Sequence, residues 1–127
     1  MKAVILAGGL GTRLRSVIGE NLQKTMLCYG NTPLLERTIR ILKEHDITDI
    51  VIVVSYLKEQ IINYFGDGKK FGVKIEYVVQ ENPKGGTANA TYCAKEKISD
   101  EKFLVIYGDN IFHPATLERL LKQAKNF

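Results

Sequence analysis

An apolar run that breaks abruptly into glycines, Val4-Ile5-Leu6-Ala7-Gly8-Gly9-Leu10-Gly11-Thr12-Arg13-Leu14, constrains this chain more than any other stretch. A continuous apolar segment bounded by a turn signal reads as a buried strand of a parallel sheet. Glycines directly after it let the backbone take positive φ and let a ligand approach, because no Cβ intervenes. Successive backbone N–H groups in such a turn converge on an anion. Thr12 adds a hydroxyl, and Arg13 adds a fork of donors matched to phosphate oxygens. The stretch reads as a cradle for a triphosphate.

Two familiar phosphate loops do not fit. The dinucleotide pattern G-x-G-x-x-G finds Gly9 and Gly11, but its third glycine falls on Leu14, and the acid expected after the next strand is Ser55. No Gly-Lys-Ser/Thr closes the loop as in a Walker sequence. A plain strand-to-helix turn would account for the glycines alone, but a turn has no use for the Arg13 guanidinium.

The length of 127 residues suits one domain with a real core, read here as a single nucleotide-binding portion, residues 1–127. The formal net charge is +4, with lysines and arginines scattered among acids except at Lys69-Lys70. That scatter points to a solvated surface, so no nucleic-acid partner is expected. No apolar run is long enough for a bilayer, and Gly8-Gly9 interrupts any signal-peptide pattern, so neither membrane nor export is expected. Cys28 and Cys93 stand apart from each other and from any histidine cluster, which fits a reducing cytoplasm and excludes the usual zinc spacings.

Strand-like runs alternate with helical periodicity, which predicts an α/β fold: a Rossmann-like, doubly wound parallel sheet with crossover helices on both faces. Strands are expected at Lys2–Ala7, Asp49–Val54, Lys74–Val79 and Lys102–Tyr107, the third at a sheet edge because its alternation is poorer. Asn31-Thr32-Pro33 is expected to open a helix with Pro33 at its first position and Leu34, Leu35, Ile39 and Leu42 buried. Leu57, Ile61, Ile62 and Phe65 mark a second helix, stopped by Gly66-Asp67-Gly68. Thr87 is placed as the cap of a third, running through Ala94 to Ile98. Pro114 opens a fourth with Leu117, Leu120, Leu121 and Ala124 on one side. Tyr107, Phe112 and Cys93 are expected to pack as apolar side chains, and His45 and His113 to be structural or exposed. Ligands of such sheets sit beyond the carboxyl ends of the strands. Three of those ends are chemically loaded: the loop at 8–13, the loop at 80–90, and Gly108-Asp109-Asn110.

These residues resemble the sugar-1-phosphate nucleotidyltransferases, the NDP-sugar pyrophosphorylases. Leu6-Ala7-Gly8-Gly9-Leu10-Gly11-Thr12-Arg13-Leu14 is similar to that family's signature loop. Further matches follow in order: Lys24-Thr25-Met26-Leu27, Thr32-Pro33-Leu34-Leu35-Glu36, Gln80-Glu81-Asn82-Pro83, Gly86-Thr87-Ala88-Asn89-Ala90 and Gly108-Asp109-Asn110. The resemblance implies that a nucleoside triphosphate and a sugar 1-phosphate become a nucleotide sugar and pyrophosphate. It implies a nucleotide-binding set of Leu6, Ala7, Gly8, Gly9, Gly11, Thr12 and Arg13, with Gln80, Pro83, Gly85, Gly86 and Thr87 on the base side. Arg13, Lys24 and Asp109 would be the catalytic groups, Asp109 holding Mg²⁺.

The chemistry asks for such residues in its own right. A sugar phosphate oxygen is already an anion, so its attack on the α-phosphorus needs no general base; it needs in-line positioning and neutralised charge. Departures from the family pattern are also visible. Gln23 and Thr25 stand where prolines usually flank the loop lysine, the segment 16–21 is one residue longer, and Gly85-Gly86 is doubled. Loss of proline leaves Lys24 less pre-organised, which favours, as a second reading, an inactive nucleotide-sensing subunit of the same fold. Family catalytic domains are considerably longer than this chain, and their further part carries most sugar contacts and a second metal-binding aspartate. The expectation is therefore an amino-terminal portion, incomplete on its carboxyl side, with little turnover alone. Its last strand, 103–107, would be an uncovered edge inviting homo-oligomer formation. Thr12 to Val17 looks like enzymes that guanylylate mannose or heptose phosphates, whereas Gln80 to Gly85 and Gly108-Asp109-Asn110 look like makers of thymidine or uridine diphosphoglucose. The reading leans to dTTP or UTP with a hexose 1-phosphate.

Overall fold

The computed structural model describes residues 1–7, 28–29, 32–55, 58–80, 86–98, 103–108 and 114–124. Four parallel strands form the sheet: β1 (Lys2–Ala7), β4 (Asp49–Val54), β5 (Lys74–Val79) and β6 (Phe103–Tyr107), in the spatial order β5-β4-β1-β6. Two further two-residue strands, β2 (Cys28–Tyr29) and β3 (Thr32–Pro33), pair antiparallel. The helices are α1 (Leu34–Glu44), α2 (Lys58–Phe65), α3 (Gly86–Cys93) and α4 (Pro114–Ala124).

β1 and β4 are apolar on both sides because both of their faces are covered. On one face Ile5, Ile52 and Leu104 pack with Leu35 and Ile39 of α1, Ile61 of α2 and Leu117 of α4. On the other, Val4, Leu6, Val51 and Val53 meet Ala90 of α3 and the buried Ala94 beyond it. Helices on both faces make the sheet doubly wound, as its sequence pattern predicts. β5 lies at the edge, and there Glu76 pairs with Lys74 (3.6 Å) and Lys97 (3.4 Å). Charges along an edge discourage pairing with another chain.

α1 begins one residue later than its proline suggests. Pro33 has φ −57° and ψ 145°, is extended, and sits as the N-cap without a side-chain cap bond, because its backbone belongs to the β2–β3 pairing. The helix ends in a turn where Asp46 N–H donates to Lys43 O (3.0 Å) and Ile47 N–H to Leu42 O (2.9 Å). Asp46 occupies the left-handed position of that motif, φ 62°, where glycine is usual. Between α1 and α2 the buried Glu36 accepts from Tyr64 Oη (2.6 Å) and Arg40 Nε (2.8 Å). Burial disfavours its charge, but those two bonds outweigh it and lower the Glu36 pKa.

Four other expectations change. α3 starts at Gly86, so Thr87 lies inside its first turn and does not cap it. The helix stops at Cys93, and a 3-10 turn at Lys95–Lys97 continues to Ile98, which packs against the second core cluster. Tyr107 is 47% exposed, because Phe103, Val105 and Tyr107 share the α3 face of the sheet but lie on its edge strand β6, beyond the part that Ala90 and Ala94 cover. Leu120 is likewise exposed on α4, while Leu117 is buried and Leu121 partly so. Cys93 is half-buried, lining a shallow hollow with Val78, Asn89 and Tyr92. His45 Nδ1–H donates to Ile41 O (2.8 Å), and its Nε2 lies 3.5 Å from Glu118, a structural position at the end of α1. Lys102, Phe112 and His113 lie outside the described residues.

Candidate nucleotide site

Because the four strands are parallel, their carboxyl ends share one rim. Leu6 stands opposite Val53 on one side and Tyr107 on the other, so the chain leaves β1, β4 and β6 at one level. In chain order the sheet runs third, second, first, fourth. Its order therefore reverses between β1 and β6, and that switch point is where such sheets open a crevice for ligands.

Each loaded loop departs from this rim. The glycine segment beginning at Gly8 follows Ala7 directly. Gly108 N–H donates to Leu6 O (3.0 Å), continuing the β1–β6 ladder by one residue. Asp109 is thus the next residue of a backbone held one strand spacing, about 4.8 Å, from β1. Across the sheet, Gln80 N–H donates to Val54 O (2.8 Å) and continues β5 beside β4. The described ends Gln80 of β5, Ala7 of β1 and Gly108 of β6, from which the three segments continue, therefore stand along one rim of the sheet.

The side chains that can be placed refine the sequence reading. Leu6 and Ala7 are buried in opposite core clusters, so only their backbone can face a nucleotide. Gln80 is 3% exposed, and its Nε2 donates to Asn89 Oδ1 at 3.0 Å. Asn89 is the functional candidate that sequence reasoning passed over. It lies within Gly86-Thr87-Ala88-Asn89-Ala90, but nothing in the sequence says which helix residue reaches back to the strand end. Gly86 and Thr87 form the first turn of α3, whose backbone N–H groups have no partner within the helix itself. Gly8, Gly9, Gly11, Thr12, Arg13, Lys24, Pro83, Gly85 and Asp109 lie outside the described residues.

The sequence profile of the nucleotidyl transferase family matches residues 2–127. The chain belongs to this family. A low-salt glycan biosynthesis nucleotidyltransferase of Haloferax volcanii is 40% identical over 119 residues, which are 93% of this chain and 33% of that protein. A D-glycero-alpha-D-manno-heptose 1-phosphate guanylyltransferase of Aneurinibacillus thermoaerophilus is 38% identical over 112 residues, 88% of this chain and 47% of the relative. Among solved structures, one from Bacillus anthracis assigned as a glucose-1-phosphate thymidylyltransferase, in complex with a sucrose, superposes with TM-score 0.85. It is 35% identical, and the match covers 97% of this chain and 51% of that one. This nucleotidyl transferase chain thus spans a third to a half of the length of these relatives. Among its described residues no helix is long and apolar enough to cross a membrane.

Proposed function

We propose that this nucleotidyl transferase chain binds a nucleoside triphosphate at the carboxyl rim and serves transfer of its nucleotidyl group to a sugar 1-phosphate. The observation that supports the reading is that Ala7, Gln80 and Gly108, the described residues from which the 8–13, 81–85 and 109–113 segments continue, stand on one rim across the switch point. In the reaction a phosphate oxygen of the sugar attacks the α-phosphorus. The bond from the α-phosphorus to the bridging oxygen breaks, and pyrophosphate leaves with the electron pair. No proton has to be removed from the nucleophile, so the protein's work is alignment and charge neutralisation.

The roles follow from residue type. Backbone N–H groups at Gly8, Gly9 and Gly11, with Thr12 and Arg13, hold the triphosphate. Lys24 adds a positive charge toward the phosphates. Gln80, anchored by Asn89, faces the base side with Pro83, Gly85, Gly86 and Thr87. Asp109 fits Mg²⁺: this ion takes one or two carboxylates and fills its other positions with water and phosphate oxygens. When bound, Mg²⁺ supplies charge neutralisation on the phosphates. The preferred substrates are dTTP or UTP and a hexose 1-phosphate, with GTP and a heptose or mannose phosphate as the second reading. The resemblance to the heptose-phosphate guanylyltransferase supports that second reading.

Thermal unfolding with Mg²⁺ and each triphosphate tests binding, since a ligand selective for the native state stabilises by RT ln(1 + [L]/Kd). A saturating triphosphate raises Tm, and Arg13→Ala or Asp109→Ala abolishes the rise. Pyrophosphate release by the protein at its full natural length, on a panel of triphosphates and sugar phosphates, then identifies the substrates. Binding without release of pyrophosphate on any pair indicates a sensor; no Tm response to any triphosphate overturns the reading.

A further inference from the structure

The opposite, amino-terminal rim carries a second concentration of charge. There the last turns of α1 and the 3-10 turn Lys69–Phe71 enclose a hollow of about 580 Å³. Arg40, Lys43, Lys69 and Lys70 line it against one carboxylate, Glu44, with Phe71 as an apolar wall. Four cations against one lining carboxylate give this concavity a formal excess of +3, in a chain whose net charge is +4. Lys74 and Lys97, by contrast, share the carboxylate of Glu76. Among the described residues no carboxylate lies within ion-pair distance of Lys43, Lys69 or Lys70.

The fold holds these cations together. Gly72, at φ 75°, has bare backbone where a Cβ would collide with the Lys43 ammonium, so this lysine lies against the turn. Lys70 Nζ sits 5.8 Å from the centroids of both Tyr64 and Phe71, whose rings stack 6.0 Å apart. Such contacts hold an ammonium over a ring face. Arg40 spends its Nε on Glu36 (2.8 Å), and that bond fixes the plane of its guanidinium. Like charges held this close repel one another, and a multivalent anion relieves the repulsion. Ammonium and guanidinium groups are the side chains that recognise phosphate oxygens. The volume lies within the range of small-molecule sites. A nucleic acid would call instead for a basic stripe along a face.

We infer that this hollow is a second anion site, taking a compact polyphosphate either free or as the tail of a nucleotide. It lies a strand length, roughly 20 Å, from the rim of the proposed nucleotide site, and its argument is independent of that site.

Titration calorimetry at low salt, without metal, on the 127-residue chain carrying Arg13→Ala and Lys24→Ala tests it. Inorganic tripolyphosphate binds this variant with one equivalent. Adding Lys69→Glu and Lys70→Glu, or Lys43→Gln alone, weakens binding at least tenfold. The charge-matched control Lys58→Glu with Lys122→Glu changes it less than threefold, and thermal unfolding of every variant verifies folding. UTP binding more tightly than tripolyphosphate makes a nucleotide the ligand; equal affinity makes it the phosphate chain alone. Absence of tripolyphosphate binding, an equal loss in the control, or binding confined to a single-stranded oligonucleotide overturns the inference.

Discussion

Replacing Asn89 by alanine isolates the contact that orients Gln80. Gln80 Nε2 donates to Asn89 Oδ1 at 3.0 Å, and the glutamine is 3% exposed, so its amide loses an acceptor where water has little access. Leaving a buried donor unsatisfied costs about 1–3 kcal/mol. Alanine recovers roughly 0.6 kcal/mol of that through its better helix propensity in α3. The net expectation is a loss of about 1–2 kcal/mol, which lowers the urea midpoint by about 0.5–1 M for an m value of about 2 kcal/mol/M. Asn89→Asp keeps an acceptor oxygen and should recover most of the loss. In a Gln80→Met background the donor is absent, and Asn89→Ala should there be neutral or slightly stabilising. Chemical denaturation of the four members of this cycle reads the coupling directly. An equal loss from Asn89→Ala in both backgrounds refutes the reasoning, because the asparagine would then act through something other than Gln80.

Four further outcomes are expected. Burial, with a smaller contribution from Asp67, pushes the Tyr77 phenol up to about 12. Its stabilising effect is whole below pH 10 and is lost as pH rises toward 12. Tyr77→Phe removes the bond to Gly66 O (2.7 Å), costs about 1 kcal/mol at neutral pH, and flattens an alkaline unfolding profile measured by circular dichroism. Glu36 has a lowered pKa, so its contribution is present above the ordinary carboxylate value of 4.5 and disappears as pH falls below it; Glu36→Gln should be less stable than the parent at pH 7, with the gap closing in acid denaturation. Asp46→Gly relieves the left-handed φ of 62° and should stabilise by about 0.5–1 kcal/mol in thermal unfolding. Phe103, Val105 and Tyr107 are exposed along the edge strand β6, so the 127-residue chain should self-associate in sedimentation velocity and Val105→Lys should shift it toward monomer; a monodisperse parent at high concentration counts against this.

Much of this architecture was legible because two signals coincide in it. β1, β4 and β5 have the bounds their apolar runs predict; for β1 and β4 this is because a strand covered on both faces has no polar position at its centre to blur it. Leu35, Ile39 and Leu42 are fully buried for the same reason, helical period meeting a covered face. What misled was local chemistry overruled by longer-range pairing. Pro33 has the φ of a first helical residue but is drawn into β3 by Cys28, and Thr87, read as a cap, is the second residue of α3. Tyr107 looked like core because its neighbours are apolar, but it lies on the edge strand, beyond the part of the α3 face that Ala90 and Ala94 cover. The candidate site was legible as three loops on one rim. Its internal wiring, Asn89 to Gln80, was not, because no sequence spacing encodes which helix residue meets a strand end.

The strand order carries a consequence for how the chain is made. β1 is synthesised first, yet Leu6 finds its two neighbours only in Val53 and Tyr107, far downstream. At ribosomal speeds of about 5–20 residues per second, its second edge stays bare for roughly 5–20 s after it emerges. During that interval this apolar strand has no lawful partner on that edge. Trigger-factor-like holdases, or slow codons placed after β4, would be felt here before anywhere else in the molecule.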